Sequence, residues 1–169
     1  MKRLPVNETE LDSALGEIVR LSAAGDLPAA LALCDALVAH GATMRAGLRA
    51  RAEVYASAGA RGRQIADLEL LVASGDWEPA DRFHLGLAQW RDGRVEDAAS
   101  SFLRAVALGE AEGFGYYSDA SRMHLAGALT QLARNDEAIA HCRLVADGYR
   151  CYLPGGVRTK EQLMVDAGS

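Results

Sequence analysis

Aromatic side chains are scarce in this sequence, which holds three Phe, five Tyr and two Trp among 169 residues. With half of the residues hydrophobic, the core has to be built mainly from Ala, Leu and Val, which suits helices with closely approaching axes. Cysteine is also sparse. Cys34, Cys142 and Cys151 are odd in number and contain no C-x-x-C pair, so neither a disulfide framework nor a zinc knuckle is implied, and a reducing cytoplasm fits. Positive charge is in deficit, with a net charge of −5, which argues against nucleic acid because binding to a phosphate backbone needs a basic face. Long apolar runs are missing, so no membrane span is expected. Leu4, Pro5 and Val6 give way at once to Asn7, Glu8 and Thr9, too short an apolar stretch for a signal peptide. The Asn7-Glu8-Thr9 triplet then reads as a helix start capped by Asn7, with Glu10 closing a capping box, in preference to a glycosylation site.

What is present is periodic. Gly25-Asp26, Gly59-Ala60 and Gly93-Arg94 recur at a spacing of 34 residues, each ending one helical stretch and preceding another. The second stretch of each unit repeats its columns: Ala30, Gln64 and Ala98; Cys34, Leu68 and Phe102; Leu37, Leu71 and Ala105. Those steps of four and three residues trace one helical face. A fourth unit follows after a spacing of 40, with Ala138, Cys142 and Val145 in the same columns. The six extra residues fall within Gly109 to Ser118, read here as an inserted loop and therefore a candidate for function. The first stretches share looser columns, Ile18, Ala52, Gly86 and Ala126 in one, Leu21, Tyr55, Gln89 and Leu129 in another. Strand-like alternation is not expected anywhere. After Tyr149 the repeat stops at Pro154-Gly155-Gly156, and Thr159 to Gln162 has the form of a capping box for a short last helix over about 160 to 167.

Leu85-Gly86, Gly93, Ala98, Phe102 and Ala105 resemble the tetratricopeptide repeat, as do Leu125-Ala126, Leu129, Ala138-Ile139 and Val145 in the fourth unit and Tyr55, Gly59, Ile65 and Leu68 in the second. The resemblance covers about residues 11 to 150. It implies an all-α, right-handed α-solenoid of about four helix pairs with a C-terminal capping helix. As a single domain over 1–169, the repeats fall at about 11–44, 45–78, 79–118 with the inserted loop 109–118, and 119–150, followed by a cap at 151–169. Gln64, Arg82, Gln89 and Arg122 depart from the pattern, standing where the family places small or large apolar side chains.

The resemblance further implies that first helices line the inside of a curve where a protein or peptide segment binds. The inward positions are then Leu15, Val19 and Ser22; Arg49, Glu53 and Ala56; Phe83, Leu87 and Trp90; Met123, Gly127 and Thr130. Phe83, Leu87 and Trp90 form a stripe at i, i+4, i+7. Either it is covered by the loop aromatics Phe114, Tyr116 and Tyr117 or by Tyr149 and Tyr152 of the C-terminal segment, or it is an open groove for an apolar or amphipathic partner segment anchored at Phe83, Trp90 and Met123. The Lys, Asn and Arg clamp by which some family members hold acidic chaperone tails is not recognisable, since Arg49 is the only mapped cation and Glu53 follows one turn on.

Chemistry has few footholds. His84 and His124 share a column in adjacent units, but two ligands do not make a metal site, and neither a metal nor a cofactor is expected. Ser118, Asp119, Ser121 and His124 combine only on paper into a nucleophile and base. Cys34 and Cys142 take core columns, whereas Cys151, near the breaker, is the thiol expected to react. The reading is a non-catalytic, cytoplasmic interaction module, an adaptor or chaperone. Its alternative is a self-assembling structural repeat protein, a homo-oligomer whose groove takes another copy.

Overall fold

A computed structural model describes residues 7–76, 78–113 and 115–168, with the side chains of Glu112 and Tyr116 outside the description. Contacts divide the chain into two compact units, one ending at Gly75 and the other beginning at Asp76.

The first unit holds α1 (Glu8–Ala23), α2 (Leu27–Val38), α3 (Met44–Ser57) and α4 (Arg61–Ser74). Asn7 starts α1 as the sequence suggests, its side chain accepting from the Glu10 amide at 2.9 Å. Asp26 does the same for α2, accepting from the Ala29 amide at 3.2 Å, with Pro28 in the first turn where its missing N–H costs nothing. Ile18, Ala30, Cys34, Leu37, Ala50 and Val54 form the core between α1, α2 and α3. Arg51 then ties α2, α3 and α4 together, donating to Asp67 at 2.6 and 2.8 Å and to Asp35 at 2.6 Å.

The second unit holds α5 (Pro79–Arg91), α6 (Val95–Glu112), α7 (Gly115–Gln131), α8 (Asn135–Arg143), β1 (Arg150–Leu153), β2 (Gly156–Thr159) and α9 (Lys160–Gly168). Phe102 is its largest fully buried side chain, and it sits against Gly86 of α5, where an added Cβ would lie 2.7 Å from the ring. The small-residue column read from the sequence thus buys the close approach of α5 and α6.

One device ends every first helix. Gly25, Gly59 and Gly93 take positive φ of 80°, 69° and 84°, and the residue after each donates its amide to the carbonyl five back at 2.9 Å: Asp26 to Leu21, Ala60 to Tyr55, Arg94 to Gln89. The fourth copy keeps the bond, Arg134 to Leu129 at 2.9 Å, but the left-handed position falls on Ala133 at φ 56°.

Two sequence expectations are corrected here. Residues 109–112 and 115–118 are helical, so the six extra residues lengthen α6 and α7 instead of forming a loop over 109–118; Gly113, at φ 75°, closes α6. Phe114 lies outside the described residues. The chain also has a β-hairpin. β1 and β2 pair antiparallel with Arg150 opposite Thr159 and Leu153 opposite Gly156, and the Pro154-Gly155 breaker is its turn. The last helix stands where expected, and Gln162 accepts from the Thr159 amide at 2.9 Å.

Three of the departures from the repeat pattern have polar partners, although the buried Arg122 Nε has none. Gln89, buried, accepts from Ser101 at 2.7 Å; Arg82 donates to Asp76 at 2.7 Å; Arg122, also buried, pairs with Glu110.

Candidate functional site

Five of the six inward positions mapped onto the first unit, all but Ala56, come together. Leu15, Ile18, Val19 and Ser22 of α1 face Ala46, Arg49, Ala50 and Glu53 of α3 across a cavity of about 510 Å³. Spacing explains why: 15, 18, 19 and 22 share one face of α1, and 46, 49, 50 and 53 one face of α3. The floor is apolar, formed by Ile18, Ala50 and Val54, each buried. Val19 on the wall is 63% exposed, leaving a branched apolar side chain in water. Arg49 and Glu53, one turn apart on α3, supply charge of both signs at the margin. The sequence mapping names Leu15, Val19, Ser22, Arg49 and Glu53, and also Ala56, which does not line the cavity; it omits Ile18, Ala23, Ala46, Ala50, Val54 and Ser57, whose small or core-like character gives no separate signal.

The mapped positions in the second unit behave differently. Met123 is fully buried, so it is no part of an accessible wall, which corrects its expected role as a partner anchor. Its column predicts an inward position, but α7 is enclosed, with Leu125, Ala126, Ala128 and Leu129 buried as well. Phe83, Leu87 and Trp90 are half-buried and packed against the core cluster that includes Phe102, Met123, Cys151 and Leu153. The Phe83 ring meets His124 edge-on at 5.0 Å and Tyr117 at 6.0 Å. Trp90 donates its indole N–H to Gln131 at 2.8 Å. The cover over the stripe therefore includes the C-terminal segment, through Cys151 and Leu153, and Tyr149 packs against the same cluster; Tyr152, expected to pack there, points away and is 77% exposed, because it alternates with Cys151 and Leu153 along β1. Thr130 donates to the Ala126 carbonyl at 3.0 Å and, with Trp90, borders a smaller cavity of about 270 Å³.

The groups weighed for chemistry are separated or muted. His84 is exposed, whereas His124 is buried and donates Nδ1–H to the Ala120 carbonyl at 2.8 Å. Burial first, then the Arg91 charge, holds the His124 imidazole below its ordinary pKa despite that bond, so it stays neutral. Cys151, expected to be the reactive thiol, is buried 3.4 Å from His124 Nδ1, and burial pushes it up to about 11. That reverses the expectation: the thiolate fraction near neutrality is negligible. Cys34 and Cys142 are fully buried, and burial pushes each up to about 11 as well. Ser121 is fully buried inside α7. Among the described residues no group of three His, Cys, Asp or Glu is placed to hold a metal ion, and no helix is long and apolar enough to cross a membrane.

Stacked helix pairs closed by a repeated left-handed turn define a class of helical-repeat proteins, and solved structures resemble the chain at that level. The MamA protein matches with a TM-score of 0.65 and 16% identity over 79% of this chain and 69% of that one. The TPR-like repeats of a Podosopora anserina kinesin light chain match at 0.65 and 19% identity over 82% and 74%. YrrB, described as a TPR protein with an unusual peptide-binding site, matches at 0.63 and 18% identity over 77% of this chain and 64% of that one. No family model matches the sequence. No curated protein matches it either. The chain has the tetratricopeptide-repeat fold, an all-α architecture of the helical-solenoid class.

Proposed function

We propose that this protein is a non-catalytic protein-interaction module, an adaptor or chaperone of the cytoplasm, that holds an apolar or amphipathic segment of a partner between α1 and α3. The observation that carries the reading is the cavity of about 510 Å³ walled by Leu15 and Val19, with Val19 63% exposed above an apolar floor. Covering one such side chain fully is worth roughly 1.5 to 3 kcal/mol, which an occupant would collect. Arg49 and Glu53 at the margin would fix the segment's direction and register more than its affinity. YrrB, whose fold is similar, is described by its peptide-binding site, which lends the reading support from a relative in fold only.

The test uses Val19→Asp, a change at an exposed position that should leave the fold intact. A photo-reactive residue at Leu15 in the full chain is crosslinked in its native lysate, with and without Val19→Asp. A defined partner segment, crosslinked by the parent and lost in the variant, is the expected result. An identical crosslinking pattern in both would overturn the proposal, and a crosslink only to a second copy of the chain would replace it with self-assembly.

A further inference from the structure

The smaller cavity lies where elements after the repeat meet its last first helices. The hairpin folds against α7 and α9 against α7 and α8, and beside Trp90 of α5 they leave a cavity in which Trp90, Leu153 and Leu163 form an apolar wall while Gln131, Arg158 and Asp166 stand at the polar side. The indole is fixed in place by its bond to Gln131 at 2.8 Å and by Phe102, 6.0 Å away. Gly127 leaves room for it: a Cβ there would lie 2.7 Å from the far carbon of the ring. Arg158 bends over the turn, its Nη2 lying 3.9 Å from where a Cβ on Gly155 would be.

The cavity carries charge of both signs, from a half-buried Arg158 and an exposed Asp166. Among the described residues Arg158 and Asp166 border the same cavity yet form neither a hydrogen bond nor an ion pair, with each other or elsewhere. Opposite charges that flank one cavity without joining are complementary to a ligand that carries both signs. At about 270 Å³ the space is just below the range of roughly 300 to 1,000 Å³ usual for cofactors and drug-sized ligands, so the ligand is small.

We propose that this cavity binds a free α-amino acid with an apolar side chain. Its carboxylate pairs with Arg158, its ammonium group with Asp166, and its side chain lies on Trp90, Leu153 and Leu163. A peptide terminus offers only one of the two charges and an internal peptide residue offers neither, so both leave a charge in the cavity unmatched. The site is independent of the cavity between α1 and α3.

Leucine is the probe. The sequence has two tryptophans, so in a Trp77→Phe background Trp90 is the only indole and reports binding by fluorescence; calorimetry on the unmodified full chain gives the same measurement without the substitution. Saturable one-site binding is expected, weakened about tenfold or more by Arg158→Gln and by Asp166→Asn, with unchanged thermal unfolding in both. N-acetyl-leucine and leucinamide, each lacking one charge, should bind about tenfold more weakly than leucine. No saturation with leucine, methionine or phenylalanine up to about 10 mM, or equal binding of leucine and N-acetyl-leucine, would overturn the proposal. Partner capture at Leu15 is read separately, so either site can fail without the other.

Discussion

Ala133 carries a cost that its counterparts avoid. Gly25, Gly59 and Gly93 enter the left-handed region freely, whereas a Cβ there costs about 1 to 2 kcal/mol. Set against the greater entropy glycine loses on folding, Ala133→Gly should stabilise the second unit by about 0.5 to 1 kcal/mol, seen as a higher denaturation midpoint. The opposite holds at Gly47, where an added Cβ would sit 2.7 Å from the Val38 backbone nitrogen and 2.8 Å from the Leu37 Cβ. Backbone cannot yield as a side chain does, and Gly47→Ala should cost about 1 to 3 kcal/mol by the same measurement. His124 sets a pH dependence. Its folded pKa lies below its ordinary value of 6.5, so the unfolded chain takes up the proton more readily, and stability falls as pH drops through the unfolded value towards the folded one. His141, shifted the same way by burial, adds to the effect. Thermal unfolding from about pH 7 down to about pH 5 should show a falling midpoint, with a smaller fall in His124→Gln.

Between elements, two attachments decide how tightly neighbours hold. Asp67 is 8% exposed in its side chain and Arg51 19%, so deleting the carboxylate removes two charge-assisted hydrogen bonds and leaves the guanidinium with Asp35 alone; Asp67→Ala should destabilise by about 1.5 to 3 kcal/mol in urea unfolding. Leu153, 3% exposed, is the hairpin's main apolar contact with α7 and the Trp90 indole, and Leu153→Ala should cost about 2 to 5 kcal/mol. How far the elements were legible follows from signal length. Columns such as Cys34, Leu68, Phe102 and Cys142 repeat over four units, and all four are buried. The hairpin offers only Cys151 and Leu153 inward against Arg150 and Tyr152 outward, interrupted by Pro154-Gly155, too few residues for alternation to stand out. The added residues at 109–118 break the spacing, and broken spacing reads as a loop although 109–112 and 115–118 are helical.

For the molecule as a whole, the sequence exposed a shared inner position for each first helix without revealing what else would cover it. In the first unit the mapping yields an accessible wall at Leu15 and Val19; in the second, Met123 is buried and the stripe of Phe83, Leu87 and Trp90 packs against a core that includes residues of the hairpin, which lies outside the repeat and so left no mark on its columns. The carboxylates of Glu8, Glu10, Asp12 and Glu17 on α1 exceed its one arginine, Arg20, consistent with a partner other than a polyanion.

The three thiols, Cys34 in one unit and Cys142 and Cys151 in the other, are all shielded. Each is silent to an aqueous alkylating reagent until its surroundings open, so the rate of labelling is a clock for that opening. Mass spectrometry of the labelled peptides would time the two halves of the chain separately, within one sample and without any introduced probe.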